Sequence, residues 1–133
     1  MSTQIFVNLP VRDLQKSVEF FGKLGYAFNP QFTDENATCM IIGDDIFAML
    51  LVEPYFRTFI EKDIADARKT AEVILALSAE NREAVDALVD KALAAGATEP
   101  RPAKDYGFMY QRSYQDLDGH LWEVFHMSGP PPA

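Results

Sequence analysis

One succession of hydrophobic periodicities occurs twice in this chain, and it limits the fold more than any other feature. In the first pass, residues 5–11 alternate: Ile5, Val7, Leu9 and Val11 share one face of a strand, and Phe6 and Asn8 share the other. Asp13 follows as a helix N-cap, because its carboxylate can accept the free amides of a first turn. Leu14, Val18, Phe21 and Leu24 then recur at helical spacing, and Gly25 supplies the left-handed residue that stops the helix. Three strand-like runs succeed it at 26–32, 38–42 and 46–52, with Gly43-Asp44-Asp45 as a tight turn between the last two.

The second pass opens with a strand predicted over 72–77. Asn81 or a neighbour caps a helix carrying Val85, Leu88, Val89, Ala92 and Leu93, and Gly96 ends it as Gly25 ended the first. A short strand is expected at 98–101, limited by Pro100 and Pro102. Two longer strands follow at 108–114 and 120–127, joined through Asp118-Gly119. The stretch 54–70 between the passes opens with Pro54, is charged, and reads as a connector with a short helix. Each half is too small to bury its own sheet. The expected architecture is therefore α+β: two tandem βαβββ modules, 4–53 and 71–127, forming one curved mixed sheet with helices on the outer face. The 133 residues, 48% apolar, suit a single domain.

Several function classes fit poorly. A formal charge of −8 repels nucleic acid and anionic lipid. No apolar run approaches the ~18 residues of a membrane span. The N-terminus lacks the basic and apolar stretches of a signal peptide. Cys39 is the only cysteine, so neither an internal disulfide nor a cysteine zinc site can form. The expected location is the cytoplasm.

Two motifs carry a resemblance. Residues 11–26 run Val-Arg-Asp-Leu-Gln-Lys-Ser-Val-Glu-Phe-Phe-Gly-Lys-Leu-Gly-Tyr, and residues 116–124 run Asp-Leu-Asp-Gly-His-Leu-Trp-Glu-Val. These resemble the opening V-x-D-L-x-x-S-x-x-F-[YF]…L-G-[FY] and closing D-P-D-G-[YH]-x-x-E-[LV] motifs of the vicinal oxygen chelate superfamily, which holds glyoxalases, bleomycin-resistance proteins and extradiol dioxygenases. The resemblance spans essentially the whole chain and implies the paired βαβββ fold and a homodimer. It does not choose among lyase, isomerase, dioxygenase and drug-sequestering activities.

Metal-dependent members take ligands from the first and last strand of each half. By that resemblance Glu123 is a ligand carboxylate and the candidate catalytic residue, and Glu72 falls near a second ligand position. Phe6 stands at the first position, where a phenyl ring cannot ligate. The fourth lies near Ala48 or Met49, and the Met49 thioether suits few divalent ions. Glu72 and Glu123 alone would hold a hard ion such as Mg²⁺ or Mn²⁺ only weakly. His120 and His126, the only histidines, fall on the face opposite Glu123.

With the metal set incomplete, no cofactor is expected, though a divalent ion stays open. The concave face is then read as apolar and aromatic, lined by Phe6, Asn8, Phe47, Met49, Tyr106, Phe108 and Tyr110, and suited to a small-molecule ligand. In the connector, Tyr55, Phe56, Arg57 and Phe59 are large enough for a lid or for padding a dimer interface. Three readings follow: a metal-independent small-molecule binder, a divalent-metal lyase, isomerase or dioxygenase using Glu123, and a dimeric scaffold without a small ligand. Whether the chain is an enzyme stays open at this point.

Overall fold

The computed structural model describes residues 2–132. The chain divides into two compact units between Ala65 and Asp66. The class is α+β as expected, with one four-stranded mixed sheet in each unit.

The first unit runs β1 (Ile5–Val11), α1 (Leu14–Lys23), β2 (Ala27–Asn29), β3 (Ala37–Gly43), β4 (Ile46–Val52) and α2 (Glu53–Arg57). Its strand order is β1-β4-β3-β2, with β1 parallel to β4 and the other pairs antiparallel. Asp13 caps α1 as its sequence position demands, accepting from the Lys16 amide at 3.1 Å. Phe20, Phe21 and Leu24 bury one stripe of the helix turn, while Leu9, Val11, Met40, Ala48 and Leu50 bury the sheet. Each of these side chains except Ala48 contributes about 1.5–3 kcal/mol of burial free energy. Ser17, rather than Val18, completes the buried stripe.

The second unit runs β5 (Ile74–Ser78), α3 (Arg82–Ala94), β6 (Lys104–Asp105), β7 (Met109–Gln115) and β8 (Leu121–Met127), in the order β5-β8-β7-β6. Here β5 and β8 are the parallel pair. Asn81 caps α3 by accepting from Ala84 N at 2.8 Å, and the helix packs on β7 and β8. Val85, Val89, Ala92, Tyr114, Trp122 and Val124 form the core.

Four local expectations change. The run 26–32 becomes a three-residue strand and a 3-10 turn, Pro30–Phe32, because Pro30 has no amide to continue the ladder. The strand expected from 72 starts only at Ile74. The strand expected over 98–101 is a single bridge, Thr98 to Gln115, since Pro100 and Pro102 cannot donate. The edge position goes instead to β6, which pairs Lys104 with Gln111 and Asp105 with Tyr110. His120 lies in the turn before β8, not on the strand.

Candidate functional site: the two open sheet faces

Each sheet has one face against its helix and one face turned away from it, and pleat alternation decides which side chains go where. In the first unit the away-facing set from β1 and β4 is Phe6, Asn8, Phe47 and Met49. Phe6 stands in register with Phe47, and Asn8 with Met49. The two phenyl rings stack, with centroids 4.7 Å apart and planes 13° from parallel. Phe6 remains 45% exposed, and Ile41 of β3, in register with Phe47, is exposed beside it. Asn8 turns its amide back to the Phe6 carbonyl at 3.1 Å. This face therefore presents aromatic and aliphatic surface with no charge among these residues.

In the second unit the away-facing set is polar at its centre. Glu123 sits in mid-β8, in register with Ala76 on β5 and Ser113 on β7. Leu121 and Phe125 flank it along its own strand, and Gln115 and Gln111 stand opposite those two. Glu123 is half-buried.

The turn that delivers Glu123 is built around Asp116, which is 8% exposed. One carboxylate oxygen of Asp116 accepts the amides of Asp118 and His120, each at 3.0 Å, and the other accepts the Trp122 indole N–H at 2.9 Å. Burial pushes the Asp116 carboxyl above its ordinary value, against the pull of His120 and these three donors. Gly119, at φ +94°, lies so close to the segment before β5 that a Cβ would sit 2.7 Å from Arg68 N. Arg68 in turn donates to the Leu117 carbonyl at 3.1 Å. The Asp-x-Asp-Gly motif is thus a hydrogen-bonded turn whose chemistry fixes where β8 begins.

Tyr110 does not join the open face. It alternates with Gln111 onto the α3 side, where its hydroxyl donates to Asp86 at 2.7 Å and the Arg82 guanidinium lies 4.2 Å above its ring. The Asp86 bond and burial hold the phenol above its usual value. Arg112 shares that side. It forks onto Glu99 at 3.0 and 3.3 Å and reaches Asp90 at 2.9 Å and Asp86 at 3.2 Å. Sequence reading missed this network. The available signal was Asp86 and Asp90 one helical turn apart, with Arg112 alternating between Tyr110 and Tyr114. Tyr106 and Phe108 lie in the turn between β6 and β7, their rings 6.2 Å apart, with Lys104 4.9 Å over Tyr106. His126 is on the α3 side of β8, and its Nδ1 donates to the Ala79 carbonyl at 3.0 Å. Glu72 is exposed, two residues before β5.

The internal repeat maps positions of one half onto the other. Phe6 precedes its cap Asp13 by seven residues, and Ile74 precedes its cap Asn81 by seven. Phe6 thus corresponds to Ile74, and through the parallel registers Met49 corresponds to Glu123. If the ligand positions implied by the resemblance follow this correspondence, they hold Phe6, Met49, Ile74 and Glu123, a donor set that does not fit a divalent ion. Among the described residues no three His, Cys, Asp or Glu side chains gather as a ligand group. Nor does any helix among them have the length and apolarity to cross a membrane.

Residues 3–43 match the family model of the bleomycin resistance protein-like N-terminal segment. A search of curated proteins finds no match. Among solved structures, a hypothetical protein from S. aureus is 28% identical, with a TM-score of 0.80 over 95% of each chain. A glyoxalase-related enzyme from Fulvimarina pelagi is 21% identical, with a TM-score of 0.81 over 100% of this chain and 94% of that one. TnmS3, an antibiotic binding protein from Streptomyces sp. CB03234, is 19% identical, with a TM-score of 0.67 over 96% and 98%.

Proposed function

We propose that the chain is a member of the vicinal oxygen chelate superfamily, a reading supported by its fold and its N-terminal segment, and that it binds a flat, largely apolar small molecule without a divalent metal. The observation that carries this reading is the Phe6–Phe47 stack. Two parallel rings, one of them 45% exposed, form an uncharged platform at the position where metal-dependent members place a first ligand. Stacked aromatic surface with few polar handles suits an aromatic ligand, gaining area burial and ring contact together. The antibiotic binding protein of similar fold is consistent with such a role.

A second reading, divalent-metal lyase, isomerase or dioxygenase chemistry, is favoured by the place of Glu123 on the open face of its sheet. The residues at the other three positions do not supply a ligand set, so no metal-dependent step is derived.

The test is a titration with a neutral aromatic probe, quinoline, followed by amide shifts in nuclear magnetic resonance. The expected result is shifts centred on β1 and β4, with affinity falling about tenfold or more in Phe6→Ala, as for an aromatic anchor. Because Phe6 is half exposed, that variant should lose under about 1 kcal/mol of stability. Tight stoichiometric binding of Mn²⁺ or Zn²⁺ to the wild-type protein would contradict the metal-independent reading.

A further inference from the structure

The open face of the second unit poses a charge problem of its own. Glu123 is half-buried at the centre of that face, and no hydrogen bond or ion pair reaches its carboxylate among the described residues. The arginines of this sheet and helix are committed elsewhere: Arg112 and Arg82 serve the acids on the α3 side. Lys104, in register with Gln111 at the far edge, lies over the Tyr106 ring. A partly desolvated carboxylate without a counter-charge is a cost that a bound cation would remove.

The neighbours of Glu123 say what kind of cation. Its in-register partners are Ala76 and Ser113, both too small to cover it, so the carboxylate is open on two sides. Leu121 and Phe125 stand above and below it on β8. Ile74, 56% exposed, lies in register with Leu121. The result is a single acid between apolar surface from Ile74, Leu121 and Phe125 and the neutral polar side chains of Ser113, Gln111 and Gln115. A divalent ion would call for further carboxylate or imidazole ligands here, and the neighbours supply none: Ala76, Leu121 and Ile74 have no donor, and Ser113, Gln111 and Gln115 offer only neutral oxygens. A cation that brings its own apolar body needs only one carboxylate and a greasy surround. The net charge of −8 adds long-range attraction.

We propose that Glu123 anchors an organic cation, a quaternary or protonated nitrogen on an apolar frame, on the β5-β8-β7 face. This rests on the small-molecule reading above and names the ligand class that the second unit's face takes by itself.

The experiment compares 1-methylquinolinium with quinoline at neutral pH, where quinoline is uncharged, by amide-shift titration of wild type, Glu123→Gln and Phe6→Ala. The expected result is that wild type prefers the cation about tenfold or more, and that Glu123→Gln brings the ratio to about one. Equal affinity for both probes in wild type overturns the proposal, as does a cation preference that survives Glu123→Gln. If quinoline binds in a Phe6-dependent way but charge confers no preference, the anchoring role fails and the small-molecule reading stands. If the cation preference depends on Glu123 while Phe6→Ala changes nothing, the anchor stands and the aromatic platform fails. Binding of neither probe overturns both. Circular dichroism of each variant confirms that the fold is intact.

Discussion

The two units share an element order, a strand order and even the spacing from first strand to helix cap, yet they are held together differently. The first is a mainly apolar sandwich: Phe20, Phe21 and Leu24 on Leu9, Met40, Ala48 and Leu50, with an aromatic open face. The second keeps an apolar centre but surrounds it with charge. Asp116 stitches its closing turn, and Arg112 ties β7 to α3 through Asp86 and Asp90 and to the segment after α3 through Glu99. Backbone topology therefore sets where a side chain points, and leaves open whether burial or hydrogen bonding does the stabilising. The open faces diverge in the same way, one aromatic and uncharged, the other centred on a carboxylate.

The sharpest contrast should come from glycine. Gly119→Ala forces a Cβ to within 2.7 Å of the Arg68 backbone at φ +94°, a contact that no side-chain motion relieves. It should cost about 3 kcal/mol or more. Gly25→Ala, at φ +106° but with nothing within 4 Å, should cost about 1–2 kcal/mol. Denaturant unfolding of both variants measures the difference, and equal losses would break the contrast.

Asp116→Asn comes next. The amide oxygen keeps two backbone donors, but the NH₂ group then faces the Trp122 indole N–H, leaving buried donors in conflict, at about 1–3 kcal/mol. Trp122 is the single tryptophan, so its fluorescence reports the change directly. The pH dependence has a defined sign. Burial raises the folded-state value of Asp116 above its unfolded one, so the folded protein holds that proton more tightly. The stability from this group is full below the unfolded value and is lost as pH rises through the folded one. Wild type should lose stability relative to Asp116→Asn as pH rises through that raised folded-state value. A difference that grows in the opposite sense would show that the three donors outweigh burial.

The smallest effect should be Arg112→Met. Its side chain is 12% exposed, but its partners Asp86, Asp90 and Glu99 are 47%, 66% and 27% exposed, so solvent screens much of the attraction. A loss of about 1–2 kcal/mol is expected, shrinking as salt is added, and a salt-independent loss would point to packing instead.

What was legible from sequence follows the range of the interaction that decides each feature. β1, β4, both helix caps and the glycine stop after α1 depend on neighbours within a few residues, and periodicity located them. The Asp-x-Asp-Gly motif pinned the register of β8, so Glu123 was placed on its correct face. The errors lie where partners are remote. Lys104–Asp105 is a strand only because β7 offers it an edge, and two prolines made the neighbouring segment look like the better choice only by its flanks. Tyr110 goes to the α3 side because β7 is registered against β8, with Tyr110 opposite His126, and nothing local to Tyr110 records that. Glu72, expected at the start of a strand, lies exposed two residues before β5, which starts only where β8 offers Ile74 a partner.

The parallel pairing of first strand with last has a consequence during synthesis. Ile5 has no ladder partner until Ile46 has been made, and Ile74 none until Leu121. Ordinary hairpins zip as they emerge, whereas here the opening strand of each unit must stay unpaired while the whole unit follows it out of the ribosome. The exposed phenyl of Phe6 and the apolar alternation of β1 are thus most vulnerable to misassociation on the nascent chain, and a stall anywhere between β1 and β4 would prolong that exposure.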